Sequence, residues 1–462
     1  GTKDGNITVD TTGGTVTVSG GSTFNDAYAQ IGHGGGSSEG AIGATSGDVT
    51  VNATGTIAVV GNQSNAATNY SQIGHGGRNS GAGGESAAGS ITVNSSGGDV
   101  LVTGASLNTG ESHTQIGHGG ILSNYNVANS VIDVDAAGAV TITGAGSQNS
   151  TMIGHGGERA AGTQYGGNIF VDAGNGISLT GGSNTTSSAQ IGHGGAETNA
   201  NLTGSVALTA TGGDITLTGG SNTDAFAQVG HGGRLSRGDK SGAVSVAANS
   251  GAVTVQGGSL NQAYAQIGHG GHDADMNGAN GGTTAASTIT VTALNDITVN
   301  GTTAGSPAAN TAPQAYAAIG HGGQYTSGNF LGDISVTSVA GGIAVSGGLS
   351  NQSNGQIGHG GLESDGSHNA NITVHALGDV SVTAGSRARA YAQIGNGGES
   401  ENVGTDTGHI CVVSEDGSVL VTGGTAAGVD DDDANAMIGH GGHNAGATDK
   451  DGRITVIAAD DL

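Results

Sequence analysis

Ala263-Tyr264-Ala265-Gln266-Ile267-Gly268-His269-Gly270-Gly271 decides how the chain folds. Small or apolar residues alternate with polar or aromatic ones, the period of two that belongs to a strand. The closing glycines suit a turn. The central string Ile-Gly-His-Gly-Gly recurs along the whole chain at intervals of 37 to 52 residues. Its histidines are His33, His75, His118, His155, His193, His231, His269, His321, His359 and His440, and Asn396 stands once in their place. A fixed unit repeated over this length marks a repeat architecture.

Two further extended pieces accompany each motif. The first reads like Asn6-Ile7-Thr8-Val9 or Asn371-Ile372-Thr373-Val374, and the second like Val16-Thr17-Val18 or Asp214-Ile215-Thr216-Leu217. Gly, Asn, Asp and Ser cluster between them, where turns need positive φ or side-chain hydrogen bonds to the backbone. No stretch has helical periodicity. The expected fold is all-β: a parallel β-helix, or β-solenoid, of about eleven three-strand coils, one per repeat. It forms a single continuous domain over residues 1–462, with insertions near 272–287 and 302–314. Two shorter coils per repeat and a propeller are the alternatives; three strands per unit suit a propeller poorly.

Composition narrows the function. Glycine supplies 96 of 462 residues and there are only twelve aromatics, so cohesion must come from backbone pairing. A formal charge of −26 repels nucleic acid and anionic lipid. No apolar run approaches the ~18 residues of a membrane helix, so no membrane span is expected. One cysteine, Cys411, excludes an internal disulfide.

The Gly-Asp-Ile-Thr-Val-Thr pattern with Gly-Gly turns resembles the repeat regions of filamentous-haemagglutinin-like and autotransporter-like bacterial surface proteins. The resemblance implies a right-handed β-helix serving as a secreted adhesin stalk at the bacterial cell surface. The motif Gln-Ile-Gly-His-Gly-Gly is tied to no activity by it.

Parity along the third strand places Ile31, Ala29 and His33 inward and Tyr28, Gln30 and Gly32 outward. The ten histidines and Asn396 therefore read as a structural ladder of neutral, hydrogen-bonded side chains, with a row of metal sites as the sharper alternative. Asn396 weighs against metal, because an amide replaces an imidazole in hydrogen bonding but ligates transition metals poorly. The outward residues Tyr28, Gln30, Tyr70, Gln72, Phe226, Gln228, Tyr264, Gln266, Tyr316, Tyr391 and Gln393, beside columns of glycine, form a candidate contact surface for glycan rings or another chain.

Acidic clusters suggest calcium as an added ligand, although no cofactor is required. Asp273-Ala274-Asp275-Met276-Asn277-Gly278 matches the opening of a calcium loop, but Thr284 replaces the Glu expected at its twelfth position. Asp430, Asp431, Asp432 and Asp433 form the densest acidic run. Catalytic solenoids break their repeat at one place, whereas here His and Gln are spread evenly, so no enzyme is expected. The reading is an extracellular structural protein, an adhesin stalk or surface-filament subunit. Its first strand, Lys3-Asp4-Gly5-Asn6-Ile7-Thr8-Val9, restarts at Lys450-Asp451-Gly452-Arg453-Ile454-Thr455-Val456, so copies are expected to stack end to end. A multivalent glycan- or calcium-binding surface is the runner-up, and a polysaccharide-degrading β-helix enzyme the third reading.

Overall fold

The computed structural model describes residues 3–21, 27–36, 44–61, 68–81, 84–106, 112–275, 287–302, 314–401, 404–424, 434–446 and 449–461. Most of both expected insertions, and with them Asn277 and Asp430 to Asp433, lie outside the described residues.

Three long parallel sheets run the length of the molecule, with twelve, eleven and eleven strands. Each sheet is built from one strand per repeat, taken in sequence order. One repeat is therefore one coil, as Val49–Ala53 pairing with Ile91–Ser95, and that strand with Ile132–Ala136, illustrates. The pairing is in register: Val49 lies beside Ile91, and Ile91 beside Ile132. Every position of the repeat thus stacks on its own counterpart about 4.8 Å away.

Alternation decides what faces in. In the first and second strands Val, Ile and Leu are fully buried while the residues between them are partly exposed. These side chains form one core running from Val16 to Val419. The small residue two before the motif isoleucine, as in Ala189, Ala227 and Ala265, belongs to the same core.

The three-strand unit is incomplete as a description. After the Gly-Gly turn the chain makes a fourth, shorter extended run that pairs only with its neighbours in adjacent coils. It appears as Gln164–Gly166, Asn201–Thr203 and Lys240–Ser241 in one sheet, and as Phe330–Leu331, His368–Asn369, Thr405–Thr407 and Asp449–Asp451 in another. Tyr125, Val127, Tyr165 and Leu202 from this part of the coil make a small second core with three alanines. The turn leading to it places one non-glycine residue per coil in the left-handed region, four positions after the motif histidine: Leu122, Arg159, Glu197, Leu235, Asp273, Tyr325 and Glu363 among them. Its backbone N–H bonds the next coil, as Leu122 does to Glu158 O at 3.0 Å. That ladder offsets the ~1–2 kcal/mol cost of the conformation at each step.

The motif glycines carry the closest coil-to-coil packing. Gly230 has φ +141° and Gly268 φ +146°, and a Cβ on either would collide with the carbonyl of the matching glycine in the next coil. The bare glycine columns are thus the seam between coils rather than an open surface. Gly230→Ala should destabilise by more than ~2 kcal/mol, through strain and clash together. Gly13→Ala, where a Cβ meets nothing within 4 Å, should stay within ~0.5 kcal/mol of the parent. Thermal and urea unfolding of the two variants make the comparison; equal midpoints would remove the seam argument.

Candidate functional site

The histidines are fully buried from His75 to His359, and their rings stack along the axis. Centroids lie 4.7 to 5.0 Å apart, with interplanar angles of 4 to 18°. Each ring is tied twice. The backbone N–H of His75 donates to His118 Nδ1 at 2.9 Å, and the N–H of His118 to His155 Nδ1 at 3.0 Å. A peptide N–H can only donate, so Nδ1 carries no proton and the proton sits on Nε2. Nε2 then donates within its own coil to the carbonyl just before the first strand, as His75 does to Gly47 O at 2.7 Å and His231 to Gly204 O at 2.7 Å.

The double tie repeats from His75 to His359 and again at His440, whose Nδ1 accepts from Asn396 N at 3.2 Å, while the His33 ring makes the carbonyl bond to Gly5 O. Asn396 reproduces it with an amide. Its Oδ1 accepts from His359 N at 3.1 Å and its Nδ2 donates to Ala370 O at 3.0 Å. From His75 to His359, and at His440, both ring nitrogens are engaged and leave no lone pair for a metal.

Burial first, and neighbouring rings second, hold these histidines below the usual imidazole range: His118 falls to about 3, and His155, His231, His269 and His359 well below 6.5. His193 and His321 fall to about 4, again through burial.

The expected contact surface is not a surface. Tyr70, Gln72, Phe226, Gln228, Tyr264, Gln266, Tyr316, Tyr391 and Gln393 are all 5% exposed or less; only Tyr28, at 45%, and the half-buried Gln30 reach solvent. Parity does point them away from the main core, but the turn after the motif folds back over them. Ala196 from that turn packs with Phe226, Tyr264, Tyr316 and Ala318.

Beneath this cover the glutamines bind backbone. Gln266 Nε2 donates to Gly320 O at 2.9 Å and Gly322 O at 2.8 Å, and Gln72, Gln115, Gln190, Gln228, Gln356 and Gln393 do the same one coil along. The aromatic of the next coil completes the set: Tyr264 donates its hydroxyl to Gln228 Oε1 at 3.1 Å, and Tyr316 to Gln266 Oε1 at 3.3 Å. Where that position holds His113, Ser150 or Phe226, the Oε1 of Gln72, Gln115 or Gln190 is left without a partner.

The calcium-loop match has a structural role in its described part. Asp273 is the left-handed turn residue of its coil, and Asp275 accepts from Ser327 Oγ at 3.3 Å. Among the described residues, the group close enough to hold an ion is instead His368, Glu401 and Asp406. No spacing in the sequence marks it, since the fourth run changes residue type from coil to coil. The same column buries Lys240, whose Nζ reaches Gly238 O at 3.0 Å and which burial pushes down to about 7. Cys411 is half-buried with its thiol free.

Two measurements follow from the ladders. A neutral buried imidazole takes up its proton more weakly folded than unfolded, so stability is full above the unfolded value of 6.5 and falls as pH drops below it. Melting midpoints between about pH 8 and about pH 5 should therefore decline, and less steeply in a His193→Asn, His231→Asn variant; a flat profile would refute the ladder. Phe226→Tyr should raise stability by about 1 kcal/mol by giving Gln190 Oε1 its missing donor, and Tyr264→Phe should lower it by about as much.

A scan against protein-family models and searches of curated proteins and of solved structures gave no match to this chain.

Proposed function

We propose that the protein is a structural rod, an extracellular bacterial stalk or surface-filament subunit that extends by end-to-end stacking. The observation that carries the reading is where the polar side chains go. Most motif imidazoles, the glutamine Nε2 groups and the hydroxyls of Tyr264, Tyr316 and Tyr391 are buried and engaged in bonds along or within the coils. A molecule built in this way invests its conspicuous chemistry in axial cohesion. Continuous parallel sheets supply the same cohesion in the backbone. The resemblance to adhesin repeat regions supports a location outside the cell for such a rod.

The last described coil has an uncovered face, as the end of any stack does. Ile454, in the last strand, is 47% exposed, while Ile372 and Ile410 at the same register position are 0% and 1%. Leu420 and Val421 in the final second strand are also open, at 46% and 48%. A further coil of the same kind, from another copy or a longer chain, would cover these residues and pair the open strand edge. The glycan-binding alternative loses its motive, because the amide and aromatic strip it needs is buried.

Electron microscopy and light scattering of the purified protein test the reading. Rods about 50 Å long, from eleven coils at about 4.8 Å, should join into longer ones as concentration rises. Ile454→Lys should keep the fold and stop the joining. A wild type that stays a single short rod at high concentration would overturn the stacking proposal.

A further inference from the structure

The fourth run of each coil sends one side chain into the small second core. Down the axis this column reads Thr45, Ala87, Val127, Tyr165, Leu202, Lys240 and, further on, Phe330. It then changes character: His368, Asp406 and Lys450 follow in register in three successive coils. Glu401, from the turn before Asp406, reaches the same point, and the side chains of His368, Glu401 and Asp406 are all 0% exposed. Apolar residues fill most of the described column before this point, Thr45 and Lys240 aside, so packing alone does not account for three ionisable residues in succession.

A relay of hydroxyls fixes the orientation of the imidazole. Thr326 Oγ1 donates its one proton to Gly323 O at 3.1 Å, so the 2.8 Å bond between Thr326 and Ser364 uses the proton of Ser364. Ser364 Oγ must then accept, at 3.1 Å, from His368 Nε2–H. In the neutral ring Nδ1 is therefore a bare electron pair. It lies 2.8 Å from Asp406 Oδ1 and 3.0 Å from Glu401 Oε1. Among the described residues Glu401 Oε1 has no neighbour to bond but the His368 ring, and Oε2 has no donor nearer than Lys450 Nζ at 3.9 Å. Three donor atoms thus converge on one point with positive charge required between them. Lys450 Nζ, 2.9 Å from Asp406 Oδ2 and 3.9 Å from Glu401 Oε2, sits on the far side of the carboxylates and offsets only one of their charges.

We infer that His368 Nδ1, Glu401 and Asp406 form a binding site for one divalent transition-metal ion of the zinc class. One imidazole and two carboxylates suit such an ion, whereas calcium would ask for six to eight oxygens. The Ser364 contact is the outer hydrogen bond that holds a ligating imidazole in the right tautomer. Ligand atoms around a tetrahedral ion with bonds of about 2.0–2.1 Å stand a little over 3 Å apart, so the two carboxylate oxygens need to move away from Nδ1 by about half an ångström or less. Lys450, with its side chain 32% exposed, marks the way in from solvent. The ion would clasp the coil of His368 to the coil of Asp406, in addition to their backbone pairing. Without the ion, a proton on Nδ1 takes its place. The titratable groups facing the ring are Glu401 and Asp406, with Lys450 and the ladder ring of His359 further off.

Protein stripped with a chelator and dialysed against zinc ions tests the site. Wild type should hold one equivalent more than His368→Phe, which restores the apolar residue of the column, and more than the isosteric Glu401→Gln. Its affinity should tighten about tenfold per pH unit wherever zinc displaces the Nδ1 proton. Zinc should also raise the melting temperature of wild type and of neither variant. Equal zinc content in all three proteins would overturn the assignment, since binding would then lie elsewhere, on surface groups such as His409 or His443. An unchanged melting temperature at every pH would overturn it too, leaving a proton as the sole occupant. Glu401→Gln keeps the comparison available should His368→Phe fail to fold.

Discussion

In-register parallel pairing at about 4.8 Å is the constraint from which the rest of this structure follows. It sets every side chain directly over its own counterpart, so each column must be made of groups that tolerate a copy of themselves above and below. Valine and isoleucine meet the condition by packing, and tyrosine by ring stacking, with Tyr264 and Tyr316 at 4.9 Å and 6°. Buried like charges do not meet it, because at this distance they repel; Asp135 and Asp172 stack in register only on the partly exposed face. The motif histidine meets it only as a neutral ring, and the bonding supplies that state: an acceptor nitrogen toward the preceding coil and a donor nitrogen toward its own.

The same rule explains which glycines matter. Those of the motif lie where two backbones approach along the seam, and there any Cβ would strike a carbonyl. Glycine is thus dense in this chain because backbone stands on backbone at the turns. Non-glycine residues take the left-handed positions four after each histidine because the axial N–H bond holds them there. Local strain and axial bonding are matched coil by coil.

Much of this was legible from residues alone. The period-two alternation in Ile-Thr-Val strings gave the three long strands, and parity gave the inward histidines. Asn396 marked hydrogen bonding as a role of the ladder position, and its amide makes both bonds. Parity also turned Tyr264 and Gln266 away from the main core, which is their true direction. It could not say that a second layer covers them. That layer is written in runs of two or three residues, such as Lys240–Ser241 and His368–Asn369, too short to show alternation. The convergence of His368, Glu401 and Asp406 was hidden for the same reason. Registers between coils, not spacings within one, bring these three together.

The imidazole column has a direction. From His75 to His440 each ring takes a hydrogen bond from the coil before it, and from His33 to Asn396 each motif peptide gives one to the coil after. A break at any coil boundary therefore leaves two unlike faces, a bare ring nitrogen on one and an unanswered N–H on the other. The seam behaves as a plug and a socket repeated along an axis, and two such faces fit in one polarity only. Head cannot meet head: two N–H groups, or two ring nitrogens, have nothing to exchange. A stack of these coils is in this sense a vector, with its sense written into the tautomer of a side chain.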